Sequence, residues 1–78
     1  MDNLEFAIGL LREAQEEKIR LAKYEKDYKD LPSYGDPDYS DKANKFWSKW
    51  TTIPKKSVIK DNLKMARRLI LKEFKEVN

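Results

Sequence analysis

Residues 30–38 read Asp-Leu-Pro-Ser-Tyr-Gly-Asp-Pro-Asp, and this stretch decides the fold. It holds two of the three prolines of the chain and one of its two glycines. Proline interrupts a helix because it has no backbone N–H to donate, and proline and glycine together favour turns. We therefore expect a surface loop over residues 30–38, with a separate element on each side.

Residues 3–29, before this loop, are predicted to form one long helix because their apolar side chains recur at helical spacing. The predicted inner face consists of Leu4, Ala7, Ile8, Leu11, Ala14, Ile19 and Ala22. Gly9 falls on the polar side, where it is either tolerated in solvent or approached by a partner backbone. Lys18, Glu25 and Lys26 interrupt the apolar face toward the C-terminal end of this helix, which leaves open whether that end packs or projects.

Two further helices are predicted after the loop, at about 39–50 and 57–77, with a second break at residues 51–56, Thr-Thr-Ile-Pro-Lys-Lys. In the first of them Tyr39, Ala43, Phe46 and Trp50 share one face, so Trp50 is expected in the core and Trp47 at its edge. The predicted inner stripe of the last helix is Ile59, Leu63, Ala66, Ile70, Phe74 and Val77, widened by Val58, Met65 and Leu69.

The chain is thus predicted to be a small all-α domain of three helices, one long, one short and one of medium length. No repeat or linker divides residues 1–78, so we expect a single helical domain. A core of this size rarely supplies more than about 3 to 5 kcal/mol of stability without a further support. Self-association would be such a support, and a homodimer is therefore one alternative.

Catalysis is not expected, because the residues that usually perform it are missing. The chain has no cysteine, so no thiolate metal site is available, and no histidine, which removes the commonest zinc ligand and the commonest general base together. None of its four serines, Ser33, Ser40, Ser48 and Ser57, lies in a nucleophile motif. Its two glycines, Gly9 and Gly35, are too far apart to form a phosphate-binding loop. We expect no enzyme, no metal site and no cofactor.

Export and membrane insertion are not expected either. The first residues carry acidic Asp2 and Glu5 in place of the basic start of a signal peptide. No stretch approaches the roughly 20 apolar residues that a membrane span requires. A soluble protein of the cytoplasm is therefore the expectation.

The charge of the chain is divided between its two halves. Residues 1–40 contain six Lys and Arg against ten Asp and Glu, a net charge of −4, whereas residues 41–78 contain eleven against four, a net charge of +7. Such a division indicates an anionic partner, although it also suits two helices that attract each other. The candidate partner-binding or nucleic-acid-binding residues are Lys45, Trp47, Lys49, Lys60, Lys64, Arg67, Arg68 and Lys72.

The acidic loop is a rival surface, because carboxylates beside tyrosines can occupy a basic groove that otherwise holds nucleic acid. Its candidate residues are Asp30, Tyr34, Asp36, Asp38 and Tyr39. The sequence does not decide between the two surfaces.

Three functions remain. The first is a non-catalytic regulator that binds a protein partner, for instance within a nucleic-acid-handling complex, and acts by occlusion or bridging. A short, lysine-rich, histidine-free chain would suit a phage or mobile-element accessory protein that inhibits such a host machine. The second is nonspecific nucleic-acid binding through the basic face of the last helix. The third is a structural helical oligomer built on the first helix.

Overall fold

A computed structural model describes residues 2–77, which form three α-helices and no strand. Helix α1 spans Asn3–Lys29, α2 spans Tyr39–Lys49 and α3 spans Lys56–Val77. The predicted all-α class is confirmed, as is the order of one long, one short and one medium helix. Helix α2 ends one residue before the predicted boundary, and α3 begins one residue before it.

Helix α1 is closed at its start by Asp2, which occupies the N-cap position. Its carboxylate oxygen Oδ1 accepts a hydrogen bond of 3.0 Å from the backbone N–H of Leu4. Acidic Glu5 lies in the first turn and basic Lys26 and Lys29 lie in the last. These charges have the signs that the helix dipole favours at its two ends.

Helices α1 and α3 run antiparallel and form the main helix pair. The Asn62 side chain sets their register, because its Nδ2 donates to the carbonyl oxygen of Leu10 at 3.3 Å and to the Glu13 carboxylate at 3.1 Å. Val58, one turn earlier in α3, shares a groove with residues as late in α1 as Arg20. Chain order is therefore opposite in the two helices.

Helix α2 packs on the last third of α1, past the level of the N-terminal end of α3. The ring of Tyr24 lies 5.5 Å from that of Phe46 and 5.4 Å from that of Trp50, and Tyr28 lies 6.0 Å from Phe46. The C-terminal end of α1 is therefore packed against α2. Helices α2 and α3 follow each other along α1.

The result is an elongated molecule without a second layer of helices. It measures 64 × 18 × 13 Å, with a radius of gyration of 18.4 Å. A compact domain of this length would have a radius of gyration of about 11.5 Å. The two short dimensions suit about two helices side by side, since packed helix axes lie 8–10 Å apart. Nothing in the described chain covers the two broad sides of the α1–α3 pair.

The seam between α1 and α3 is made by small side chains. Ala66 is 0% exposed and Ala7 is 1% exposed, and Ala14 is also buried. Leu10 and Leu69, three or four residues from these alanines, are half-buried. Spacings of three and four residues describe a narrow stripe along each helix. The pair therefore meets closely along a thin line.

Most of the large side chains predicted to be inside lie outside this seam, and that part of the prediction is wrong. In α1, Leu4, Ile8, Leu11 and Ile19 are exposed; in α3 the exposed ones are Val58, Leu63, Met65, Ile70, Phe74 and Val77. The reason is that helical spacing predicts which residues share a face but not how much of that face a neighbouring helix covers. One helix covers a narrow stripe, and no third helix reaches this part of the molecule.

Candidate protein-binding face

One broad side of the α1–α3 pair is apolar. Leu11 of α1 and Leu63 of α3 line the same groove between the helices, which fixes their flanks on one side of the molecule. At 100° per residue, Leu4 and Ile8 share the flank of Leu11, and Ile70 shares that of Leu63. We call Leu4, Ile8, Leu11, Leu63 and Ile70 the apolar face; each of them is 39% to 51% exposed.

The centre of the apolar face is concave. The groove between the two helices has a volume of about 250 Å³. It is lined by Leu11, Ala14, Gln15, Lys18, Ile59 and Leu63. The small side chain of Ala14 leaves depth between the larger side chains, so the groove can accept an apolar side chain from outside.

The α3 side of the apolar face is bordered by positive charge. By helical position, Lys60 and Arg67 lie between the flank of Leu63 and the side of α3 that points directly away from α1. Lys64 lies on that outward side, where it shares a groove with Asp61, Met65 and Arg68. We call Lys60, Lys64 and Arg67 the basic edge, and all three are exposed. Arg68 and Lys72 are exposed too, but they lie farther round the helix, toward the opposite broad side.

The basic edge is not neutralised by the acidic first helix. Within residues 2–77 the salt bridges are Arg20 with Glu17 at 3.0 Å and Lys49 with Asp27 at 2.7 Å, and neither involves α3. No carboxylate of α1 therefore forms a direct ion pair with the basic edge in residues 2–77. The charges of the basic edge remain available to a partner.

The opposite broad side of the pair has a different character. A groove there is lined by Glu13, Glu16, Glu17, Arg20 and Val58. Three carboxylates against one guanidinium make this groove mainly acidic. Arg68 and Met65, on the α3 part of the same side, line another groove together with Asp61 and Lys64. The opposite broad side therefore carries charges of both signs.

The structure separates the predicted basic site into two groups. Lys45 and Lys49 lie in a groove between α1 and α2 that Asp27 and Asp30 also line. Asp30 is 17 residues from Glu13, which contacts Asn62 in α3, so the two groups are about 25 Å apart along α1. Lys45 and Lys49 therefore do not extend the basic edge.

Lys49 serves to hold α2 in place. Its Nζ binds the Asp27 carboxylate at 2.7 Å and lies 5.5 Å from the centre of the Trp50 ring. The buried Trp50, 6% exposed, donates from Nε1 to the same carboxylate oxygen at 3.0 Å. The hydrogen bonds from Lys49 and Trp50 lower the pKa of Asp27 below its ordinary value. The sequence did not predict this anchoring role of Asp27.

The expected core position of Trp50 is confirmed, and Trp47 is half-exposed at the edge of α2. The Trp47 ring packs edge-on against Phe46 with their centroids 4.8 Å apart, and 47% of the residue is exposed. It belongs to the α2 end of the molecule and lies outside the apolar face.

The acidic loop residues mostly organise the loop itself. The Asp36 carboxylate accepts a hydrogen bond of 2.9 Å from the backbone N–H of Asp38, and Tyr34 packs on Tyr39 with ring centroids 5.1 Å apart. Asp38 occupies the N-cap position of α2 without a side-chain capping bond. Asp30 shares a groove with three lysines, Lys42, Lys45 and Lys49. The residues of the predicted acidic surface therefore do not act as one site. Tyr34, Asp36, Asp38 and Tyr39 shape the loop, whereas Asp30 lies in a groove of mixed charge.

The apolar face was not predicted as a site, because its residues were assigned to the core. One sequence signal could have indicated it: α3 is apolar over nearly half its circumference, more than one neighbouring helix covers.

Comparison of the chain with protein-family models, with curated proteins and with solved structures gave no match. Among the described residues, no helix has the length and apolar character needed to cross a membrane. No cluster of acidic side chains in residues 2–77 has the geometry of a metal site.

Proposed function

We propose that this chain is a non-catalytic binding protein that holds a protein partner on the apolar face of the α1–α3 pair. The observation that carries this proposal is the exposure of five large aliphatic side chains on one side of the molecule. Exposed apolar surface is ordinary when scattered, but a contiguous patch on a monomer usually marks an interaction site. Binding of a partner would remove this surface from water.

The shape of the chain supports occlusion or bridging of the partner as the mode of action. A rod 64 Å long with an apolar side and an opposite side of mixed charge can cover one protein surface while it presents the other side to a second protein. Action as an inhibitor within a phage or mobile element stays a prediction from composition.

A pair of matched variants tests the proposal. Leu11→Gln with Leu63→Gln removes the centre of the apolar face. Phe6→Gln with Met65→Gln removes two side chains of similar exposure, 45% and 49%, from outside that face. We expect the protein that co-purifies with the wild-type chain to be retained by the second variant and lost by the first.

Circular dichroism at matched concentration checks that both variants remain helical. Loss of the partner from the Phe6 and Met65 variant, with retention by the Leu11 and Leu63 variant, would contradict the proposal. A chain that co-purifies with no protein in its native cells would contradict it as well.

Nucleic-acid binding is the second candidate function, and the free basic residues of α3 favour it. Lys60, Lys64, Arg67, Arg68 and Lys72 are exposed, and none forms a salt bridge in the described part of the chain. Clustered cations of this kind bind nucleic-acid backbones by releasing counterions. Because lysine outnumbers arginine here, the expected binding is nonspecific.

A salt titration tests this second function. The affinity for random duplex or single-stranded DNA should fall steeply as salt rises, with a log–log slope of about −0.9 for each phosphate neutralised in duplex DNA. Replacement of Lys60, Lys64, Arg67 and Arg68 by glutamate should abolish this binding. Absence of binding at low salt would remove nucleic acid as a direct partner.

A further inference from the structure

The geometry points to an acidic amphipathic α-helix of a protein partner as the occupant of the apolar face. This inference rests on the proposed function and adds the chemistry of the partner. Such a helix would place its apolar stripe in the groove between α1 and α3 and its Asp or Glu residues against the basic edge.

The shape of the face suits a helix. Two parallel rows of side chains with a groove between them form the surface into which the ridge of a third helix packs. From Ile59, which lines the groove, to Ile70 in the apolar face, α3 runs for eleven residues, or about 17 Å. That length corresponds to roughly three turns of a partner helix, with anchors spaced three and four residues apart.

The exposed C-terminal end of α3 extends the apolar face. The register set by Asn62 and Leu10 brings Ile70, two turns later, level with the first turn of α1. Phe74 lies beyond that point and is 66% exposed. An aromatic side chain at the end of the groove would contact one more turn of the partner helix.

The charge around the groove selects the partner. Lys18 lines the groove on the α1 side. By helical position, Lys60 and Arg67 lie on α3 next to the flank of Leu63, and Lys64 lies farther out. Arg12 lies on the outer flank of α1 at this level, beside Glu5 nearer the helix start. Complementary charge across an interface favours the correct partner, and like charge penalises the wrong one. An acidic helix therefore fits this face and a basic helix does not.

A second copy of the chain fits less well. Consider two copies that pack apolar face against apolar face. If the two-fold axis lies in the interface and runs across the helices, each α3 lies over the α3 of the other copy and the two basic edges meet. With the axis parallel to the helices, α3 lies over the partner copy's α1, whose flank carries Arg12 and Lys23 beside Glu5. Neither arrangement supplies enough carboxylates to pair with the basic edge.

Synthetic helical peptides provide the test. The first probe is an amphipathic peptide of about 14 residues, roughly 20 Å as a helix, with leucine on one stripe and glutamate on both sides of it. The second probe is identical but carries lysine in place of glutamate. We expect the glutamate peptide to bind at least about tenfold more tightly, which is about 1.4 kcal/mol. Fluorescence anisotropy of the labelled peptides measures the difference.

Charge reversal sharpens the test. The variant Lys60→Glu with Arg67→Glu should lose the preference for the glutamate peptide and gain one for the lysine peptide. Arg68→Glu with Lys72→Glu makes the same change in net charge farther from the face, and it should keep the wild-type preference. Reversal in the first variant and not in the second is the result that supports the inference.

Other outcomes overturn the inference. Equal binding of both peptides, lost in the Leu11→Gln and Leu63→Gln variant, would leave protein binding on the apolar face standing and remove its acidic specificity. Binding of neither peptide would overturn it too. Preferential binding to phosphatidylserine vesicles that is lost in the Leu11→Gln and Leu63→Gln variant would overturn it as well. So would a stable dimer, seen by sedimentation of the wild type, that the same variant no longer forms.

Discussion

Single residues in this chain fall into two kinds, those that hold the helices together and those whose side chains stay exposed. Trp50 could be placed from the sequence because it continues the face of Ala43 and Phe46, and all three are buried. Asp27 and Lys49 could not be placed. Their roles depend on a contact between residues 22 positions apart, which helical spacing within one element does not reveal.

Asp27 gives the fold a defined dependence on pH. Its folded-state pKa is lowered from an ordinary value of 3.8 by the hydrogen bonds from Lys49 and Trp50. A lowered folded pKa means that the carboxylate stabilises the fold above pH 3.8, and that this contribution is lost as pH falls through the lower folded value.

We therefore expect the thermal midpoint of the wild type to fall more steeply below pH 3.8 than that of an Asp27→Asn variant. Melting curves followed by circular dichroism, recorded from neutral pH down to about pH 2, measure both. All other carboxylates are common to the two proteins, so the difference isolates Asp27. Parallel pH profiles would show that the carboxylate makes no special contact in the folded state.

Gly9 lies in the second turn of α1, and we expect it to be a tolerated glycine there. A Cβ added there would meet nothing within 4 Å. Gly9→Ala should therefore raise the free energy of unfolding by about 1 kcal/mol, the usual difference in helix propensity. Urea titration measures the change. Loss of partner binding in a more stable variant would instead indicate that a partner backbone approaches Gly9.

At the scale of the helices, the sequence predicted where each begins and ends but not how they pair. Leu63 and Ile70 share a helical face with the fully buried Ala66, so periodicity alone placed all three inside. The close approach of α1 and α3 along alanines decides the outcome, because a narrow seam buries Ala66 and leaves its larger neighbours exposed. The width of the seam depends on the neighbouring helix, so the sequence pattern of one helix does not reveal it.

The alanine seam can be tested by enlarging one side chain. Ala66→Leu should lower the free energy of unfolding by about 1 to 3 kcal/mol, because added methylene groups find no space in a closely packed contact. Ala22→Leu, on the exposed flank of α1, is the matched control and should change it by less than about 0.5 kcal/mol. Urea denaturation compares the two. Equal effects would mean that α1 and α3 do not meet along these alanines.

The molecule as a whole is a rod in which α1 is the shared support for α2 at one end and α3 along the rest. The sequence predicted three helices and did not predict this arrangement, because three amphipathic helices can also close around a common core. The arrangement matters for function. A closed bundle would bury Leu11 and Leu63, whereas the rod leaves both available to a partner.

Small-angle X-ray scattering of the isolated chain tests this central claim most directly. Forward scattering gives the mass of the particle, and the Guinier region gives its radius of gyration. For a monomer we predict a radius of gyration near 18.4 Å, as in the open rod. A monomer near 11.5 Å, the value for a compact domain of this length, would mean that the helices close over the apolar face and that no docking surface exists there.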